Sequence, residues 1–421
     1  MVTTNVGAGN FFVKTQDPFG EWSEPVMLPE VGGIDPSFFF DEDGKAYIVN
    51  NDEAPDNKPE YSGHRTIRIQ EFDVKTDKTV GPRKILVNKG AQPADKPIWI
   101  EGPHLYKING KYFLMSAEGG TGNWHSEVIF RGDSPMGKFL PWKNNPILTQ
   151  RHLNSDRPNS VTCAGHADLI QTKEGDWWAV FLACRPINNQ FENLGRETFM
   201  MPVKWSEDGF PYMTQGDDLV PMIVKREGAK RDTIVTYGNF ELIENFDSTV
   251  LDMTWMTLRS SASDLYSLTE TPGYLTLKCA DISSTEKKTP AFVCRRLQHH
   301  KFECATRMLF NPSNDKETAG MLLFKDEAHQ YFFCLNKVGE NISLKQIGEK
   351  EQTLASDEID ADTNEVYLKL VSQGIGYDFY YSIDGEKSWK LLCKDVDSSY
   401  LSTTTAGGFT GTTIGLYATC K

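Results

Sequence analysis

At 421 residues, with 39% hydrophobic and 11% aromatic content, the chain can bury more than one core, and two domains are expected. Its formal net charge of −14 and the lack of any basic stripe exclude nucleic acid as the ligand, because binding a phosphate backbone needs one. No apolar run reaches membrane-spanning length, and an acidic, aromatic-rich surface suits a neutral polar ligand such as a sugar. The 34 glycines and 21 prolines fall between short alternating runs, and helical periodicity is nearly absent, so the predicted class is all-β.

The first half repeats. Asp35, Glu101 and His166 each stand nine residues before a turn glycine, Gly44, Gly110 and Gly175, and an apolar strand follows each glycine. The glycines are 66 and 65 residues apart, which predicts successive copies of one four-stranded unit, the blade of a β-propeller, with the three side chains converging on its axis. Residues 6–26 align with residues 119–142 through a shared Gly-x-Gly-Asn turn, an apolar run and a Ser/Asp-Pro corner. Extended backwards, that alignment sets Met1 opposite Leu114, inside a strand, so the half-repeat carrying the next axial residue is expected upstream of Met1 and the propeller is expected to be N-terminally incomplete.

The repeats are assigned to residues 1–226. A charged connector at 224–234 and a linker over 227–239 follow, and residues 240–421 change to longer runs of two-residue alternation. Segments such as ENFDSTVLDMTWMTLR and GYLTLKC are expected to be strands of two packed antiparallel sheets, a β-sandwich of jelly-roll type. The eight cysteines show no metal-ligand spacing and are expected to be structural thiols. The pair His299-His300 lacks ligand partners at suitable spacing, so no metal site is expected there.

The individual residues admit bland readings. Asp35 before Pro36 could start a strand, and Glu101 before Gly102-Pro103 could do the same. Their common offset argues against that. His166 is either a satisfied core histidine or a pocket residue, Arg196 either pairs with Glu197 or reaches into a pocket, and Phe409 is either core or lid. Trp99, Trp124, Trp177 and Trp178 are candidates to stack on sugar faces; Trp177 and Trp178 alternate in a strand, so at least one of them is core.

Several long motifs occur in order: GGIDPSFFFDEDGKAYIVN, PIWIEGPHLYKINGKYFLMSAEGGT, CAGHADLIQTKEGDWWAVFLACRP and NLGRETFMMPVKWSEDGFP. Together they resemble glycoside hydrolase family 43, in particular its β-xylosidase and α-L-arabinofuranosidase members with a five-bladed propeller. The second half, with SLTETPGYLTLK, CRRLQHHKFECATRM and GGFTGTTIGLYA, resembles the concanavalin A-like sandwich appended to those β-xylosidases. The resemblance implies an inverting glycosidase acting on terminal pentoses of plant-type oligosaccharides, as in xylan degradation. It assigns Glu101 as general acid and Asp35 as the carboxylate that orients that acid and tunes its pKa. It places His166, Arg196, Thr121 and Phe409 around the sugar, with Phe409 on a loop that closes over the pocket. An inverting site holds its two carboxyl groups about 6.5–9.5 Å apart to admit water, and the acid must stay protonated near neutral pH.

The family's general base is an aspartate of the first blade, and no residue here matches it, so impaired turnover is expected. No cofactor is expected to be required; the resemblance implies a structural calcium near the axis, with His166 as a candidate ligand. The same resemblance suggests a bacterial periplasmic or extracellular setting, with the cytoplasm as the alternative. The competing reading is a non-catalytic carbohydrate-binding protein, and a third is a propeller scaffold. The four residues Glu101, Asp35, His166 and Arg196 favour the enzyme, because binding alone does not need an acid with a carboxylate neighbour.

Overall fold

The computed structural model describes residues 1–228, 239–336, 341–360 and 363–421. The expected linker at 227–239 lies largely outside them. Contacts divide the chain into two compact units, Met1–Cys184 with Glu197–Lys225, and Arg185–Arg196 with Arg226–Lys421. Residues 185–196, which join two strands of the first unit, thus belong to the second.

The first unit is a series of antiparallel sheets that follow one another along the chain. β1 (Val2–Asn5), β2 (Gly9–Phe12) and β3 (Val26–Met27) form the first. β4 (Ile34–Phe40), β5 (Ala46–Glu53), β6 (Arg65–Asp73) and β7 (Lys78–Asn88) form a regular four-stranded blade. The next blade comprises β8 (Glu101–Ile108), β9 (Lys111–Glu118), β10 (Ser126–Gly132) and β11 (Leu140–Pro141), with β12 (Leu148–Thr149) also on β10. β13 (Thr162–Gln171), β14 (Trp177–Cys184) and β15 (Glu197–Pro202) follow, then the short pair β16 (Lys204–Trp205) and β17 (Pro211–Tyr212). The second strand of each four-stranded blade, β5 and β9, is buried on both faces over seven of its eight residues, because neighbouring blades cover it on either side. One core gathers Val49, Ile67, Ile69, Leu105, Leu114 and Phe130 between two blades, and another gathers Met115, Ile129, Ala167, Leu169 and Phe181 between the next two.

In the second unit, β18 (Met256–Thr257), β21 (Ala291–Arg296), β23 (Thr318–Asp326), β24 (His329–Asn336), β25 (Asn341–Ile347), β26 (Glu351–Glu358) and β30 (Thr413–Thr419) form a seven-stranded sheet, while β19 (Tyr266–Ser267) pairs with β20 (Thr276–Leu277). β22 (Lys301–Leu309), β27 (Glu365–Gln373), β28 (Gly376–Ser382) and β29 (Lys390–Asp397) form a four-stranded sheet. Alternating residues of both sheets, among them Phe333, Leu344, Leu368, Leu370 and Phe379, meet in one buried core, the signature of a sandwich.

The segment ENFDSTVLDMTWMTLR is not the long strand expected of it. Only Met256–Thr257 pairs, because the Glu244 and Asp252 carboxylates accept the backbone N–H groups of Phe246 and Thr254, both at 2.9 Å, and so compete with the ladder. The GYLTLKC segment likewise shortens to Thr276–Leu277. All eight cysteines are free thiols, and four of them, Cys163, Cys184, Cys294 and Cys334, are buried. Burial pushes the Cys334 thiol up to about 11, which leaves it unreactive.

Candidate active site

The innermost strands β4, β8 and β13 share one irregularity. Each carries one extra residue against its partner at the equivalent place, between Ile34 and Ser37, between Glu101 and His104, and between Gly165 and Asp168, and β13 carries a second between Thr162 and Gly165. The first bulged residue is left-handed in all three: Asp35 at φ 53°, Gly102 at 54° and His166 at 54°. A non-glycine residue held there stores strain of the kind that clusters at functional sites.

This common bulge corrects the reading of the repeat. Asp35 and His166 are structurally equivalent, but their counterpart in the middle blade is Gly102, and Glu101 stands one residue earlier, in the place of Ile34 and Gly165. The equal nine-residue offset arises because the β8–β9 hairpin turns in two residues, Asn109-Gly110, whereas the other two use five, and one extra strand residue in β8 partly offsets the shorter turn. Convergence survives the shift. The Gly102 N–H donates to Asp35 Oδ2 at 3.1 Å, and a Cβ on Gly102 would stand 2.3 Å from His166 Nε2. The three bulges therefore touch around one centre, and only glycine fits the middle one.

Glu101 begins β8, is 7% exposed and pairs with Ala117 of β9. Asp35 is half-buried, and its own N–H donates to Thr4 Oγ1 at 3.1 Å. Beyond the bulges, Ser37 Oγ and His104 Nδ1 are hydrogen-bonded at 3.0 Å. Burial lowers the His104 pKa, against the opposing pull of Asp168 and Asp35. The Tyr106 hydroxyl donates to Asp168 and accepts the Leu169 N–H at 2.9 Å; burial, reinforced by the Asp168 charge, raises its pKa well above the usual phenol range. Thr121 lies half-buried in the loop between β9 and β10, where Trp124 is exposed. Trp99 lies beneath the Arg65 guanidinium, Trp177 meets Trp205 edge to face, and Trp178 is core.

Two residues here escaped sequence reasoning. His125 is buried, and its Nδ1–H donates to the Cys163 carbonyl at 2.8 Å, so a neutral ring keeps its lone pair on Nε2. Glu127 on β10 is completely buried, and one carboxylate oxygen accepts the Ala167 N–H at 2.9 Å. Burial drives its pKa well above the carboxylate range, with the Asp168 and Glu101 charges adding to the rise and the Ala167 and His166 amides opposing it. The available signal was a charged residue inside the apolar run SEVIF, which reads equally well as a solvent-facing strand position.

Glu101, His125 and His166 each offer a ligand atom within 4.8 Å of the others. Calcium takes six to eight oxygens, and one carboxylate beside two imidazoles is an oxygen-poor set better matched to a borderline ion such as zinc. The donors fit calcium poorly.

In the second unit, Arg196 and Phe409 come together. The guanidinium carbon lies 3.6 Å from the ring centroid, and the Arg196 N–H donates to the Phe409 carbonyl at 3.0 Å. Phe409 is 56% exposed and so is not a core residue of the sandwich. The pair is held by a close backbone ladder in which Gly195 bridges Thr410 and the Thr412 N–H reaches the Asn193 carbonyl at 2.8 Å.

Residues 1–211 match the sequence pattern of glycosyl hydrolases family 43, and residues 243–421 match the beta xylosidase C-terminal concanavalin A-like domain. The chain belongs to glycosyl hydrolases family 43. As a member it is a glycosidase, with a carbohydrate substrate. A xylosidase/arabinosidase of Butyrivibrio fibrisolvens is 37% identical over 428 residues, covering 99% of this chain and 80% of the relative. A non-reducing end alpha-L-arabinofuranosidase of Bacteroides ovatus is 32% identical, covering 99% and 75%. Among solved structures, a family 43 protein from a capybara gut metagenome superposes with a TM-score of 0.90 at 37% identity, covering 99% of this chain and 78% of that one. A xylan beta-1,4-xylosidase from Bacillus halodurans gives 0.83 at 28% identity, covering 98% and 77%. Among the described residues no helix is long and apolar enough to cross a membrane.

Proposed function

We propose that this family 43 chain acts on terminal β-xylosyl or α-L-arabinofuranosyl residues, with Glu101 as proton donor and Asp35 as its orienting carboxylate. The observation that carries the reading is the hydrogen bond from the Gly102 amide to Asp35, because it fixes the peptide that bears Glu101. The relatives named above, xylosidases and arabinofuranosidases alike, support a pentose substrate. In an inverting reaction the glycosidic C–O bond breaks as the Glu101 proton passes to the leaving oxygen, and a deprotonated water attacks C1 from the opposite face. The third carboxylate, which would deprotonate that water, has no match in the sequence, so the proposal includes hydrolysis limited at this step by about 10²–10⁴-fold.

Azide tests this, since it attacks C1 without needing a base. Nitrophenyl β-D-xyloside and α-L-arabinofuranoside are incubated with the chain, with and without sodium azide. Expected are near-background hydrolysis in buffer and azide-dependent release of nitrophenol, with a glycosyl azide of inverted configuration as product. Robust hydrolysis without azide would show that another residue serves as base. Pentose binding with no cleavage under either condition would favour a carbohydrate-binding protein instead.

A further inference from the structure

Across the middle blade, Glu101 of β8 and Glu127 of β10 both pair with the same residue of β9, Ala117. Directly paired residues of antiparallel strands project from the same face, so the two glutamates stand side by side with a methyl group between them. Neighbouring strands lie about 4.7–4.9 Å apart, so the two backbones stand about 9–10 Å apart across Ala117, a gap that two glutamate side chains leaning over the methyl group can narrow. Glu127 has no exposed surface, and neither does Ala117. One oxygen of Glu127 takes the Ala167 N–H at 2.9 Å, and Ala167 is the second residue of the bulge that sets His166 at φ 54°. The other oxygen has no hydrogen-bond partner of ordinary geometry among the described residues. A glutamate kept fully buried at such cost is not explained by packing, since leucine or methionine would fill the volume without the penalty.

We infer that Glu127 is a positioning residue of this centre: spanning the row beside Glu101 and bonded to the Ala167 amide, it holds the proton donor and the His166 bulge in register. The inference rests on reading Glu101 as the donor. It assigns Glu127 no contact with the sugar. Losing it lets the bulge relax and moves Glu101 relative to the leaving oxygen, and displacement of a catalytic group by about 1 Å costs on the order of 10²-fold.

The test uses leaving groups of opposite need. With azide supplied, attack at C1 of xylobiose expels the second xylose through its O4, which must take the Glu101 proton as the C–O bond breaks, whereas 2,4-dinitrophenyl β-D-xyloside expels dinitrophenolate unaided. Glu127→Leu is expected to lower xylobiose cleavage by at least about 30-fold while the dinitrophenyl substrate stays within about 3-fold, and Glu127→Gln, which keeps the acceptor oxygen for Ala167, restores most of the loss. Glu127→Asp, shorter by one methylene, keeps the carboxyl group but not its reach and should show the same split should the leucine variant not fold. Parallel falls on both substrates, or no change on either, would overturn the inference, because a purely structural role affects both alike. Xylose affinity, measured by NMR titration on the same proteins, is a second arm that needs no turnover. If the unmodified chain cleaves neither glycoside, the proposed glycosidase reading has failed, and the affinities still decide. A loss in Glu127→Leu that Glu127→Gln recovers supports positioning of the His166 bulge, and equal affinities refute it.

Discussion

Gly102→Ala is the most revealing single change in the first unit. The added Cβ would lie 2.3 Å from His166 Nε2, and ordinary contact begins at 3.4 Å, so the imidazole must retreat by 3.4 − 2.3, about 1.1 Å. Alanine must also adopt φ 54°, in the left-handed region, at a cost of about 1–3 kcal/mol. His166 is itself bulged, and the next amide is tied to Glu127, so the ring has little room to yield. The expected outcome is a stability loss of about 1–3 kcal/mol in urea denaturation, together with a fall of about 10²-fold in azide-supported cleavage of nitrophenyl β-D-xyloside. The two readouts separate strain from misplacement, since strain alone lowers the unfolding midpoint without touching the rate of the folded fraction. Wild-type rate and stability would refute the reasoning, by showing that the three bulges do not constrain one another.

The second unit supplies two more tests. Burial, reinforced by the Arg185 charge, lowers the His300 pKa from 6.5 to about 4. The folded state therefore holds fewer protons than the unfolded chain, and the stability this gives is fully present above about pH 6.5 and lost as pH falls toward 4. The urea midpoint should drop between pH 7.5 and 4.5, and drop less in His300→Gln; an identical drop in both would show that other groups carry the acid sensitivity. Gly195→Ala places a Cβ 2.2 Å from the Gly411 amide nitrogen, at φ 65°. Backbone cannot give way as a side-chain tip can, so a loss of at least about 2 kcal/mol is expected in chemical denaturation, with Gly195→Ser equally affected; a neutral outcome would mean that the ladder joining 193–196 to 409–412 opens freely.

The spacing of Gly44, Gly110 and Gly175 was enough to place Asp35, Glu101 and His166 on the inner strands, because a turn glycine and a buried strand recur once per blade and leave a period in the chain. The switch to two-residue alternation after residue 240 likewise marked the sandwich, since each strand there buries alternate side chains, as the pattern of β27 shows. Counting residues could not reveal that Asp35 is equivalent to Gly102 and not to Glu101. A shorter turn and a longer strand leave a net shift of one residue, which puts Glu101 in place of Gly102 at the nine-residue offset, and only the ladder registers show the bulge.

Glu127 was invisible for a related reason. A charged residue at an alternating strand position looks solvent-facing until the neighbouring blade is seen to cover that face. The stacking of Arg196 on Phe409 depends on pairing segments more than two hundred residues apart, which no local pattern encodes. Local chemistry thus determined which groups this protein has and the blades and sheets that carry them. Tertiary packing alone decided which of those groups meet, because that depends on strand register and on which faces neighbouring elements bury.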